Sequence, residues 1–212
     1  RMASSRFPGK PLKKILGIPM LAHCYERALL SQACDHLVIA TPEEEIISWA
    51  LNHNIPAILT GHHHQRATER AQEASEILSK QGEVYDFILL LQGDEPLLLP
   101  RHIDSFANAM ESDPNGEAWN ATGPIEHEDE LDRHSFVKCT VGLNDRILHC
   151  FRRSPCYSPF EVQRTFVRKI LGIIAYRKEF LLKFTELPAS AIEQAEFIEQ
   201  MRIIENGYTM RS

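Results

Sequence analysis

The sequence predicts an α/β domain with a largely parallel central sheet. Three observations carry that expectation. Short apolar strands alternate with amphipathic helices through the first half of the chain. The most apolar segment, Asp86-Phe-Ile-Leu-Leu-Leu91, reads as a central strand, and Gln92-Gly93-Asp94-Glu95-Pro96 follows it directly. The length of 212 residues, with 43% hydrophobic and 25% charged residues, suits one large domain, or one domain with a small lobe.

The elements follow in order. Residues 1–12 form a polar loop holding Arg1, Arg6 and Lys10, the hydroxyls of Ser4 and Ser5, and Gly9, punctuated by Pro8 and Pro11. A phosphate loop hangs from the end of a strand, so a first strand is expected ahead of this sequence. Residues 19–32 read as an amphipathic helix, with Leu21, Cys24, Tyr25, Ala28 and Leu29 on one face. Residues 36–40 form a short buried strand. Thr41 then caps a helix that has Pro42 at its first position and Glu43, Glu44 and Glu45 in its first turn, where acids complement the helix dipole. Residues 55–59 form a strand whose Pro56 places it at an edge or a strand start. Residues 68–80 form a third helix.

The second half changes character. Residues 113–132 are acidic and loop-rich. Residues 136–143 alternate as a half-buried strand does, and residues 146–151 pair with them across an Asn144-Asp145 turn. Residues 167–176 are another strand, and helices follow over 178–186 and 191–206. An antiparallel extension is therefore expected from about residue 119 to 176.

Composition excludes several classes. A net charge of −6 argues against a general nucleic-acid surface. No apolar run approaches the roughly 20 residues of a membrane span. The five cysteines form no CxxC pair and suit reduced, mostly buried thiols of a cytoplasmic protein.

Cations, hydroxyls and backbone N–H groups gathered in the opening loop suit a polyphosphate, although a solvated basic tail has the same composition. Asp94, at the carboxyl end of a parallel strand, is placed to hold Mg²⁺, and a solvated turn is the alternative. Gly93 lets the backbone approach a ligand. His62, His63 and His64 are consecutive, so they cannot all converge on one ion from an extended segment; a surface loop is the expectation. Arg70 could reach a phosphate or carboxylate from the first turn of its helix. Arg152 and Arg153 suit an anionic acceptor. Glu193, Glu196, Glu199 and Gln200 share roughly one helical face, which is either a binding face or a solvated one.

Taken together, these motifs resemble the CMP-Kdo synthetase family (3-deoxy-manno-octulosonate cytidylyltransferases; Kdo is the sugar acid). The resemblance runs through Ser5-Arg6-x-Pro8-Gly9-Lys10-Pro11-Leu12, Tyr25-Glu26-Arg27-Ala28 and Ala40-Thr41. It continues through Gln92-Gly93-Asp94-Glu95-Pro96, Val137-Lys138, Arg153-Ser154-Pro155 and Gly172-Ile173-x-Ala175-Tyr176-Arg177. It closes with Glu199-Gln200-x-Arg202 and Glu205-Asn206-Gly207-Tyr208. It implies a Rossmann-like nucleotidyltransferase core in one domain over residues 1–212, with a β-rich acceptor and dimerisation lobe at about 119–176, acting as a homodimer. It also implies transfer of CMP from CTP to a 2-keto sugar acid for cell-surface glycan synthesis, with Mg²⁺ as cofactor. Carried over, Arg1, Ser5, Arg6 and Lys10 would bind the nucleotide with Ala40, Thr41 and Gln92; Arg1, Lys10 and Asp94 would be catalytic, and Asp94 would hold the metal. Arg70, Gln92, Arg153, Ser154, Glu199 and Gln200 would line the acceptor side.

The chain departs from that family pattern in places. Arg66-Ala67 stands where Ser-Gly or Asn-Gly precedes Thr68-Glu69-Arg70, Ile170 stands where a sugar-contacting His is expected, and Arg152-Arg153-Ser154 replaces Ser-Arg-Ser. The family's second metal-binding Asp belongs to a segment beyond Ser212. Two added cations and a lost imidazole predict an acceptor pocket tuned to a more negative sugar. A homologue that binds nucleotide without turnover, or one that uses a different acidic sugar, fits the same departures.

Overall fold

The computed structural model describes residues 7–212, so Arg1, Ser4, Ser5 and Arg6 of the opening loop lie outside the described residues. The chain divides into two compact units: residues up to Tyr85 with Leu90–Asp113, and Asp86–Leu89 with Pro114–Ser212.

In the first unit Gly9 takes a left-handed conformation (φ 69) and opens a 3-10 turn, Lys10–Leu12. Strands β1 (Lys14–Ile15) and β2 (Ile18–Pro19) then pair antiparallel about Leu16-Gly17. Both turn residues have positive φ, 51 and 86, as a two-residue hairpin of matching twist requires. Helix α1 (Met20–Leu29) buries Met20, Leu21, Cys24 and Ala28, one turn apart along one face. Strand β3 (Ile39–Thr41), helix α2 (Glu44–Asn52) and strand β4 (Ala57–Leu59) form a right-sized crossover, and β3 and β4 pair in parallel, Ile39 opposite Ala57. The expected cap at Thr41, with Pro42 first in the helix, is corrected: Glu43 stays extended as the cap and α2 starts at Glu44, while the Thr41 hydroxyl accepts the Glu43 N–H at 3.2 Å. Helix α3 spans Ala67–Lys80.

Strand β5 (Phe87–Leu91) ends in the first unit, and helix α4 (Pro100–Glu111) follows it. The sequence reading assigns no element to α4. Its signals are Pro100 at the first position and buried Ile103, Phe106 and Met110 at spacings of three and four.

The second unit contains β6 (Ala118–Pro124), β7 (Lys138–Val141), β8 (Arg146–Phe151), the single turn α5 (Phe160–Gln163) and the long β9 (Val167–Arg177). Helices α6 (Lys178–Glu186), α7 (Ala191–Glu196) and α8 (Gln200–Glu205) precede β10 (Met210–Arg211). The six-stranded sheet runs β5-β9-β6-β10-β8-β7, and β9 also pairs with β7, so its last five strands close on themselves.

The α/β class holds, with its parallel pairing narrower than expected. Parallel pairs are β3–β4 and β6–β10; β6–β9, β7–β8, β7–β9 and β8–β10 are antiparallel. The four residues between β7 and β8 are far too few for a parallel crossover. Strand β5, expected to be central, stands at the end of the sheet order beside β9. Its apolarity reports packing on its faces and carries no information about which edges are paired. Strand β6 falls within the segment read as loop-rich.

Along β6 and β9 the register jumps from Asn120–Ile174 to Thr122–Ile170, leaving two extra residues on β9. Asn120, fully buried, fills the gap: its Nδ2 donates to the carbonyls of Ala121 (2.9 Å), Leu171 (3.0 Å) and Ile173 (3.3 Å). The unit's core joins Ile147, Tyr176, Leu181, Phe184, Met201 and Ile203. Cys139 and Cys150 face each other across β7 and β8 in this core as thiols; burial pushes Cys139 up to about 12 and Cys150 well above its ordinary value. Reduced, buried cysteines were the expectation.

The continuous helix expected over residues 191–206 is broken. Phe197 takes a left-handed conformation (φ 56, ψ 45) between α7 and α8. Glu193 therefore does not share a solvated face with Glu196, Glu199 and Gln200. It is fully buried and takes both arms of Arg202, each at 2.7 Å.

Removing one side of that pair strands a buried charge. Glu193→Ala should cost about 3–5 kcal/mol, measured as a lower urea midpoint at unchanged slope. A second consequence concerns acid. Burial pushes the Glu130 carboxyl up, but the Lys169 ammonium at 2.6 Å and the N–H groups of Glu126 and His127 outweigh it and hold it at about 2, against an ordinary 4.5. A lowered folded-state value means the stabilisation is whole above about pH 4.5 and drains away as the pH falls towards 2. The stability advantage of the wild type over Glu130→Gln should shrink steadily across that window in urea titrations.

Candidate active site

The first unit builds its site on the turn after β5. The Glu95 N–H bonds the Gln92 carbonyl at 3.3 Å and the Leu98 N–H bonds the Glu95 carbonyl at 3.1 Å, so two successive turns carry Asp94 outward. The turn lies against α1: a Cβ on Gly93 would stand 3.1 Å from the Leu21 side chain, and Arg27 donates to the Leu98 carbonyl at 3.3 Å. This is the close backbone approach that the glycine allows.

Lys10 and Asp94 meet across 84 positions of sequence. The Lys10 ammonium donates to Asp94 Oδ2 at 2.6 Å, and both side chains keep about two fifths of their surface open (38% and 44%). Beside them, burial and the Asp94 charge push Glu95 above its ordinary value, with Lys10 opposing. Under the turn, burial pushes the Cys24 thiol up.

A second group gathers where β3 and β4 end. Thr41 is buried, and its carbonyl accepts the Thr60 N–H at 2.9 Å. Ala40 sits one position back on β3, opposite Ile58. Arg70, from the first turn of α3, donates to Thr60 Oγ1 at 2.5 Å and to the Gly61 carbonyl at 3.2 Å. In the His-rich loop, His62 and His63 are exposed while His64 is fastened to Glu73 at 2.6 Å. Burial raises the Glu73 carboxyl, but the Gly61 N–H and His64 outweigh that and lower it. Among the described residues no cluster of three or more His, Cys, Asp or Glu could hold a metal.

The second unit carries four of the residues assigned to the acceptor side, Arg153, Ser154, Glu199 and Gln200, while Arg70 and Gln92 belong to the first. Arg153 pairs with Asp132 at 2.9 Å in the open. The Ser154 hydroxyl donates to Gln163 at 2.7 Å and accepts the Cys156 N–H at 3.2 Å, so it fastens its own loop. Gln200 donates to Asn120 Oδ1 at 2.9 Å, with Glu199 immediately before α8. Ile170 packs against the core, and Arg152 donates to three backbone carbonyls. The Arg152 guanidinium, expected to add a charge on the acceptor side, also spends donors on carbonyls of other segments. Thr60 and Asn120, which hold Arg70 and Gln200, were missed. A lone amide between Trp119 and Ala121 was the signal for the second.

The profile of the cytidylyltransferase family matches residues 1–210. The chain belongs to that family. It is 36% identical to the mitochondrial 3-deoxy-manno-octulosonate cytidylyltransferase of Arabidopsis thaliana, covering 100% of this chain and 72% of the relative. It is 35% identical to the enzyme of that name from Syntrophobacter fumaroxidans, covering 100% and 84%. Among solved structures, a CMP:2-keto-3-deoxy-manno-octonic acid synthetase complexed with CTP superposes with a TM-score of 0.88 at 33% identity, over 99% of this chain and 84% of that one. A cytidylyltransferase from Leptospira borgpetersenii shares the fold at 15% identity, with a TM-score of 0.61 over 99% and 71%. The resemblance carried by the opening loop and the Gln92–Pro96 turn thus holds, and this cytidylyltransferase is a nucleotidyltransferase. Among its described residues, no helix is long and apolar enough to cross a membrane.

Proposed function

We propose that this cytidylyltransferase transfers CMP from CTP to Kdo or a closely related 2-keto sugar acid, releasing pyrophosphate, in the synthesis of a cell-surface glycan such as lipopolysaccharide. The observation that carries the reading is the Lys10–Asp94 contact beyond β5, in a chain whose relatives at 35–36% identity are named for this transfer. The sugar's anomeric hydroxyl oxygen attacks the α-phosphorus, the bond to the β-phosphate oxygen breaks, and pyrophosphate leaves with the bonding electrons. The hydroxyl proton passes to solvent.

Such a step asks the protein for position and charge, with little covalent work. In the proposed cycle Lys10 leaves Asp94 for the departing phosphates, and Arg1, Ser5 and Arg6 complete the phosphate loop. Ala40, Thr41 and Gln92 hold the nucleoside. Arg70, Gln92, Arg153, Ser154, Glu199 and Gln200 are the residues assigned to the acceptor, Ser154 by fixing the loop that presents Arg153.

One half-exposed carboxylate, with no cage of three ligands among the described residues, fits Mg²⁺ brought in with the triphosphate and keeping several waters. Asp94 would hold it, and when bound it would supply charge neutralisation at the phosphates. We further propose that residues 1–212 act as one cytidylyltransferase domain in the cytoplasm, with 119–176 as the acceptor lobe and the face of a homodimer; sedimentation at micromolar concentration as a clean monomer would contradict the last point.

The test is pyrophosphate release with CTP and a panel of 2-keto sugar acids. Kdo should be used at an ordinary rate; binding of CTP without release on any acid would instead mark a non-catalytic homologue. Lys10→Ala should lower kcat by about 100-fold or more, with a smaller change in KM, and Asp94→Asn should abolish the response to Mg²⁺. A variant that keeps its rate without Lys10 sinks the assignment.

A further inference from the structure

We propose that Arg152 is a positioning residue that ties together the two halves of the acceptor side, Arg153–Ser154 and Glu199–Gln200. The inference rests on the assignment of those four residues as the acceptor side. Arg152 follows β8 directly, and its guanidinium forks between segments remote in sequence. One arm, Nη1, donates to the His134 carbonyl at 3.1 Å. Nε donates to the Glu196 carbonyl at 2.9 Å and Nη2 to that of Phe197 at 3.4 Å.

The first segment is anchored at three consecutive residues by three cations. Arg153 holds the Asp132 carboxylate at 2.9 Å, Lys138 holds the Arg133 carbonyl at 2.5 Å and Arg152 holds the His134 carbonyl. Lys138 is fully buried, with its ammonium 4.7 Å above the centre of the Phe136 ring, so this end is fixed to the interior. The second segment is the corner where α7 stops. Helix-terminal carbonyls lack intrahelical partners and form the negative end of the helix dipole, so a guanidinium is favoured there. Phe197 takes its left-handed turn at this corner, and α8 starts three residues later at Gln200, which is held to Asn120.

A planar fork carries its donors on three separated nitrogens and so bridges two segments, whereas an ammonium gathers its donors on one nitrogen and a hydroxyl has a single O–H. Here the arginine sets the spacing of the acceptor groups, with one N–H each from Nε, Nη1 and Nη2 engaged by carbonyls. The extra cation thus acts on geometry.

The test uses wild type, Arg152→Ser and Arg152→Lys. Amide hydrogen exchange in the ligand-free protein should accelerate by about tenfold at residues 132–136 and 196–200 in both variants, with the rest of the chain unchanged. With CTP and Kdo, KM for Kdo should rise by about tenfold, while kcat and KM for CTP stay within about twofold. Unchanged exchange in the two segments overturns the proposal. Recovery of the Kdo KM by Arg152→Lys also overturns it, because it would mean direct recognition of the acceptor by charge. Exchange is read without turnover, so a wild type that rejects Kdo refutes the choice of acceptor while the exchange data still judge the tie.

Discussion

The second unit depends on one buried amide. Where β9 carries two residues more than β6, the ladder between them breaks register. The Asn120 side chain spans the break by donating to the carbonyls of Leu171 and Ile173. Its remaining oxygen accepts from Gln200, so the irregularity of the sheet and the start of α8 are fixed by the same four atoms. An apolar residue or an ionised aspartate has no donor to give these carbonyls.

Two ion pairs in this chain have opposite characters, and burial decides which. Glu193 and Arg202 are at most 7% exposed and bonded through both arms. With no water to take over, neither can leave, and the pair holds α7 against α8. Lys10 and Asp94 are open to solvent on one side, where attraction is weak and either partner can be exchanged for a ligand at little cost. A fixed pair suits a scaffold. An exchangeable pair suits a site that must accept several phosphate charges and release them as pyrophosphate.

The adjacent arginines show how little composition says about the role of a charge. Arg152 and Arg153 sit in the bend after β8 with different kinds of partner: one donates to backbone carbonyls, and the other meets the Asp132 carboxylate in solvent. Their partners are supplied by residues 18 to 45 positions away.

Local chemistry was readable from the sequence. The α1 face, the β7–β8 hairpin, α6, and the turn that carries Asp94 all follow from periodicity and turn residues acting within a few positions. The family too was legible, because its motifs are short and contiguous. Pairing was not. The place of β5 at the end of the order, the closed run of β6 to β10, the burial of Glu193 and the contact of Lys10 with Asp94 depend on segments far apart in the chain. The same residues could have met other partners at equal local cost; the tertiary packing chose among them by which backbone and charged groups it left without water.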